Sequence, residues 1–178
     1  MHIERAHQLW KKHLKSQSNI IDATCGNGHD TLFLAQNTQG KIFVYDIQEK
    51  ALRSAKNRLL ENLDDLQRVT FLKACHSSLD SVPQKLPIDL IVYNLGYLPG
   101  ADKKVTTKVD TTLLSIQHAL DRIEGDGAIS ITCYPGHSEG EREEKAILSF
   151  FEKYDGPRTI LYHWWLKRAK SPTLIWVH

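Results

Sequence analysis

Short runs of β-branched and aliphatic residues alternate with longer stretches whose apolar positions recur every three or four residues, and this rhythm holds along most of the chain. It predicts a basic helix over residues 2–15, a strand over 19–23, a glycine-containing turn, and a helix over 29–36 ended by Asn37-Thr38-Gln39-Gly40. A second strand over 41–46 feeds a helix over 48–63, on which Ala51, Ala55, Leu59 and Leu63 fall every fourth residue and form one buried stripe. Strands follow at 69–74 and 88–93. Pro83 and Pro87 between them allow only a short helix there. Beyond a loop over 96–110 come a helix over 111–123, a turn at Glu124-Gly125-Asp126-Gly127, a strand over 128–133 and a helix over 139–154. The last two strands, 158–165 and 173–177, are joined by a basic, proline-bearing connection too short for a crossover helix, so they must pair antiparallel.

Strands alternating with helices predict a doubly wound α/β architecture with a mostly parallel sheet, closed here by a C-terminal antiparallel hairpin. The 178 residues suit one domain, residues 1–178, with enough chain to bury a core unaided. No apolar run reaches the length of a membrane span, and charge in the first turn is unlike a secretory signal, so a cytoplasmic location without membrane contact is expected. Cys25, Cys75 and Cys133 are far apart and form no metal-ligand spacing, so no metal site is expected and their role is packing. A formal net charge of +2 neither demands nor excludes a nucleic-acid partner.

The first strand runs into Asp22-Ala23-Thr24-Cys25-Gly26-Asn27-Gly28-His29-Asp30-Thr31, at the sheet edge where open α/β folds bind ligands. Gly26 and Gly28 permit a tight turn close to a ligand, and Asp22 offers a carboxylate for the cationic amino-acid end of a nucleoside cofactor. Asn27 and Asp30 share the same turn and are expected to contact that cofactor. A dinucleotide fingerprint would need a third glycine where Thr31 stands, so no pyrophosphate cradle is implied. Asp46, at the end of the second strand, suits a pair of ribose hydroxyls, with Gln48 adding a contact. His76 and Ser77 follow the third strand and should reach the adenine end of the same site.

After the fourth strand, Asn94-Leu95-Gly96-Tyr97-Leu98-Pro99-Gly100 resembles a variant of the Asn-Pro-Pro-Tyr motif of amino-group methyltransferases, with Leu95-Gly96 in place of the prolines. The segments DATCGNGHDT, DIQ, NLGYLPG and YPGH, in that order, resemble a small bacterial rRNA methylase family whose members include the tRNA 5-aminomethyl-2-thiouridine methyltransferase. The resemblance covers nearly the whole chain. It implies the Rossmann-like class I S-adenosylmethionine-dependent methyltransferase fold, S-adenosyl-L-methionine as cofactor, and N-methylation of a wobble aminomethyluridine in the anticodon region of tRNA. On this reading Asn94 accepts a hydrogen bond from the attacking amine and Tyr97 packs on the acceptor. Tyr134 and His137, after the fifth strand, orient the substrate or relay its proton. The chain departs from the family at its end, Thr173-Leu174-Ile175-Trp176-Val177-His178, where other members carry an acidic-basic tail.

Three basic clusters are candidates for phosphate contacts: Arg5, Lys11, Lys12 and Lys15; Lys103, Lys104 and Lys108; and Lys167, Arg168 and Lys170. Trp164-Trp165 could stack a base, although adjacent strand residues face opposite ways. With no appended RNA-binding domain, the catalytic domain, alone or as a homodimer, must hold the tRNA. A small-molecule amine methyltransferase shares the cofactor half of this reading, whereas a non-catalytic RNA-binding protein that keeps the fold would not need the Asp22, Gly26, Asp46 and Asn94 present here.

Overall fold

The structure, a computed structural model, describes residues 2–100, 102–164 and 171–178. Helix α1 (His2–His13) is followed by β1 (Ile20–Asp22), α2 (His29–Asn37), β2 (Ile42–Asp46), α3 (Glu49–Leu60), β3 (Val69–Lys73) and β4 (Ile88–Asn94). The chain then forms α4 (Val109–Arg122), β5 (Ile123–Cys133), α5 (Ser138–Glu152), β6 (Ile160–His163) and β7 (Thr173–Val177). The strands make one sheet in the order β3-β2-β1-β4-β5-β7-β6, with β1 to β5 parallel and β7 antiparallel to both neighbours. The doubly wound sheet with a terminal antiparallel hairpin is therefore present, and every parallel strand delivers its carboxyl end to one edge.

Alternation along the strands divides the core in two. Ile20, Ile42, Val44, Leu90 and Val92 meet Ala6 and Trp10 of α1, Leu34 of α2, and Ala51, Ala55 and Leu59 of α3. Ile21, Phe43, Ile91, Ile129 and Ile131 point the other way, onto Ile116 and Ala119 of α4 and Ile147 and Phe151 of α5. Each face is closed by helices, as a parallel sheet requires.

Two expectations change. Residues 124–127 are part of β5 instead of a turn; the register against β4 shifts between Ile88 and Leu90, and Gly125 adopts a positive φ of 50°. The first strand of the hairpin, β6, is shorter than the apolar run suggested, and Trp164 stands beyond it, exposed and stacked on Tyr162. Trp165 and the cluster of Lys167, Arg168 and Lys170 lie outside the described residues. Among the described residues no helix is long and apolar enough to cross a membrane, and no group of potential metal ligands occurs.

Candidate active site

A cavity of about 1040 Å³ opens at the carboxyl ends of the parallel strands. It is at the upper end of the size that holds a single small ligand, leaving room for a second group beside a nucleoside. Its walls come from the turn after β1, the ends of β2 and β3, the segments after β4 and β5, and helix α1.

One wall is built on Asp46. Its Oδ2 accepts the Gly26 backbone N–H at 3.1 Å and its Oδ1 accepts that of Gln48 at 2.8 Å, which ties the glycine turn to the end of β2. Burial raises the Asp46 carboxyl above its ordinary value, while these backbone donors oppose the shift. Gly26 makes the turn at a positive φ of 51°. Asn27 braces it, receiving the Ser54 hydroxyl on Oδ1 and reaching the Pro99 carbonyl with its amide. Gln48, Ile47 and His76 also line this side. His76 is buried, its Nδ1 has no partner, and burial lowers its pKa to about 4, so it presents a neutral imidazole.

The opposite wall joins Asp30 to Asn94. The Asn94 backbone N–H donates to Thr24 Oγ1 at 2.6 Å, and its side-chain amide donates to Asp30 Oδ2 at 2.8 Å. With its NH₂ engaged, the Asn94 carbonyl oxygen is left as the acceptor. Asp30 Oδ1 is 2.6 Å from His7 Nε2 on α1. Tyr97 lies beside His137, ring centroids 5.2 Å apart, with the Lys103 ammonium 5.5 Å from the Tyr97 centroid. Tyr134 Oη and His2 Nε2 are 3.2 Å apart.

Protonation states narrow what these groups can do. His137 caps α5 by accepting the Gly140 backbone N–H on Nδ1, at 3.1 Å, so the neutral ring carries its proton on Nε2 and can only donate there. Burial pushes the Tyr134 hydroxyl up to about 12, which keeps it protonated. Both groups can orient a substrate; neither is set up to take its proton.

The structure moves three residues out of the expected site. Asp22 is fully buried beneath the turn, accepting the Thr31 hydroxyl at 2.6 Å and the Thr24 backbone N–H at 3.3 Å, and it does not line the cavity. β1 points it toward α2 instead of past the sheet edge. Gly28 is also outside the lining. An added Cβ there would lie 2.4 Å from Ala55 Cα, so this glycine serves the contact between α2 and α3. Ser77 turns away, its carbonyl paired with His118 Nδ1 at 2.9 Å, while His76 beside it lines the cavity.

Sequence reasoning missed His2, Ile3 and His7 of α1, and Ile47, all on the cavity wall. It also missed Glu143 of α5. This buried carboxylate accepts the Thr107 hydroxyl at 2.7 Å and the Thr112 hydroxyl at 2.5 Å, and Thr107 Oγ1 in turn accepts the Gly96 N–H at 2.8 Å. Glu143 thereby anchors the loop that carries Tyr97. A signal for His7 did exist: Ile3, His7 and Trp10 recur at helical spacing, which places a histidine on the stripe that α1 turns inward.

A sequence-family model described as "Putative rRNA methylase" matches residues 42–178. The chain belongs to this family. A protein of Arabidopsis thaliana named tRNA (mnm(5)s(2)U34)-methyltransferase, chloroplastic, is 32% identical over 157 residues, 83% of this chain. The match spans 57% of the length of that relative. Among solved structures, a "putative rRNA-methylase" from Clostridium thermocellum superposes with a TM-score of 0.93 at 30% identity, covering 98% of this chain and 95% of the other. A Streptococcus mutans "putative methyltransferase", solved in complex with SAH, gives a TM-score of 0.87 at 32% identity, covering 98% and 96%. The fold of this family member is that of class I methyltransferases.

Proposed function

We propose that this protein is an S-adenosyl-L-methionine-dependent methyltransferase acting on tRNA, and that it N-methylates the aminomethyl group of wobble 5-aminomethyl-(2-thio)uridine. The observation that carries the reading is the pairing of two walls in one cavity: Asp46 at a glycine turn on one side, Asn94 with Asp30 on the other. The names of the Arabidopsis and Streptococcus mutans relatives supply the RNA substrate and the bound cofactor product from which the reading is extended.

The residues present fit the cofactor. Asp46 can receive ribose hydroxyls, Ile47 offers an apolar surface to a base, and the unpartnered His76 Nδ1 is a buried polar group on the adenine side. S-adenosylmethionine supplies, when bound, a methyl carbon on a positively charged sulfur. Asp30 and Asn94 then do the work on the acceptor. An aminomethyl group is largely an ammonium near neutral pH, and the Asp30 carboxylate attracts it. A carboxylate offers about four lone-pair sites, so Asp30 can take the ammonium proton while holding Asn94 and His7. The lone pair so freed, aligned by a hydrogen bond from the amine to the Asn94 carbonyl oxygen, would face the methyl carbon that the bound cofactor would supply. Holding these atoms in line is the main source of acceleration for a displacement of this kind.

Lys103, Lys104 and Lys108 are exposed around the mouth, where Tyr97 and Lys108 meet the cavity, and suit the RNA backbone. Lys15 instead pairs with Asp126, at the opposite edge of the sheet, so the far end of α1 is no part of this surface. The test is nucleoside mass spectrometry of tRNA from cells with and without the gene. Loss of the methylaminomethyl nucleoside with accumulation of its aminomethyl precursor is expected; an unchanged tRNA profile would refute the reading.

A further inference from the structure

Helix α1 reaches Asp30 on the acceptor wall through His7. His7 stacks on Phe33 of α2, with ring centroids 3.8 Å apart and planes 13° from parallel, and its Nε2 lies 2.6 Å from Asp30 Oδ1. Ala6 and Trp10, both buried, fix the helix against the sheet on either side of it. An ionised carboxylate can only accept, so the hydrogen between these atoms belongs to His7 Nε2. The other carboxylate oxygen holds the Asn94 amide at 2.8 Å, giving a continuous chain from α1 through α2 to the end of β4.

We propose that His7 is a positioning residue for the methyl acceptor: its Nε2–H fixes the Asp30 carboxylate, which in turn fixes Asn94 with its carbonyl oxygen facing the amine. The inference rests on the methyl-transfer reading above and assigns α1 to the acceptor half of the site. Without the His7 donor, Asp30 still attracts an ammonium, but its plane and the Asn94 amide are free to rotate. The defect should therefore appear in turnover more than in substrate affinity.

Two substitutions separate hydrogen bonding from packing. His7→Phe keeps a ring on Phe33 and removes the donor; His7→Gln keeps an N–H donor and removes the ring. With an anticodon stem-loop bearing 5-aminomethyluridine, His7→Phe should lower kcat on the order of 10- to 100-fold. KM for the RNA and affinity for S-adenosylhomocysteine should change little. His7→Gln should recover most of the loss. In an Asp30→Asn background, His7→Phe should add little, because both changes cut the same chain. Wild-type turnover by folded His7→Phe, equal losses in both single variants, or additive losses in the double variant would overturn the proposal. No transfer by the wild-type protein would instead defeat the methyl-transfer reading itself. A ¹⁵N spectrum of the unmutated protein gives an independent check: the His7 ring proton should reside on Nε2, and finding it on Nδ1 would overturn the proposal.

Discussion

The side-chain amide of Asn94 donates to Asp30 Oδ2 at 2.8 Å, joining the end of β4 to the first turn of α2 across 64 residues of sequence. The bond occupies the NH₂ end of the Asn94 amide and leaves its carbonyl oxygen as the acceptor. On the proposed reading it also sets a carboxylate beside the cationic amine. The proposed acceptor half of the site therefore depends on the end of β4 and the first turn of α2, with α1 behind them.

Asp46 should carry much of the cofactor's ribose affinity, since its two oxygens are already held in place by Gly26 and Gln48. Asp46→Ala is expected to weaken S-adenosylmethionine binding by about 1.5–3 kcal/mol, the scale of hydrogen bonds to a charged group. Calorimetry on the folded variant measures this, and unchanged affinity would remove Asp46 from the site.

Asp22 predicts a pH dependence of stability. Burial raises its carboxyl from 3.8 to about 7 in the folded protein, so between those values the folded state holds a proton that the unfolded state has released. Its contribution to stability is complete below the unfolded value and is lost as pH rises through about 7. The loss is at most about 4 kcal/mol at 1.36 kcal/mol per pKa unit. Denaturant melts from pH 4 to 7.5 should show stability falling with pH, with a flatter profile in Asp22→Asn. An identical profile in that variant would show that Asp22 does not titrate as described.

Gly28 should tolerate no side chain. A Cβ would meet Ala55 Cα at 2.4 Å on a residue with φ of 77°. Overpacking and left-handed strain together should cost Gly28→Ala about 2–4 kcal/mol. Equilibrium unfolding tests this, and a variant as stable as wild type would mean that α2 and α3 separate at little cost.

Glu143 should matter to the acceptor loop without touching substrate. Glu143→Ala leaves the buried Thr112 hydroxyl unpaired and frees Thr107, at a cost of about 1–3 kcal/mol in stability. KM for tRNA should rise while S-adenosylmethionine affinity holds. A rise in cofactor dissociation constant with no change toward tRNA would place the loop's influence on the wrong half of the cavity.

Much of this was legible in the sequence because it follows from local rules. The alternation of Ile20 with Ile21 and of Val44 with Tyr45 marks strands buried on both faces, and Gly26 and Asp46, singled out together in the sequence, meet at the cavity. The illegible parts depend on direction and on distant partners. Asp22 reads the same from sequence whether its carboxylate faces ligand or Thr31, and only the pleat of β1 decides. Gly28 looks like ligand-approach chemistry until α3 is laid against it. His7 shows its inward face through helical spacing, but that α1 sets it against Asp30 is a matter of tertiary packing. Residues 124–127 carry turn chemistry, yet the sheet absorbs them through a shift in register.

The most direct test of the account is single-turnover methylation of an anticodon stem-loop bearing 5-aminomethyl-2-thiouridine, comparing the wild-type protein with folded Asn94→Ala at saturating S-adenosylmethionine. Wild type should convert the aminomethyl to the methylaminomethyl nucleoside, and Asn94→Ala should do so on the order of 100-fold more slowly, with cofactor affinity unchanged. Equal rates for the two proteins would contradict the assignment of Asn94 to the acceptor amine, and absence of the methylated nucleoside with wild type would contradict the proposed reaction.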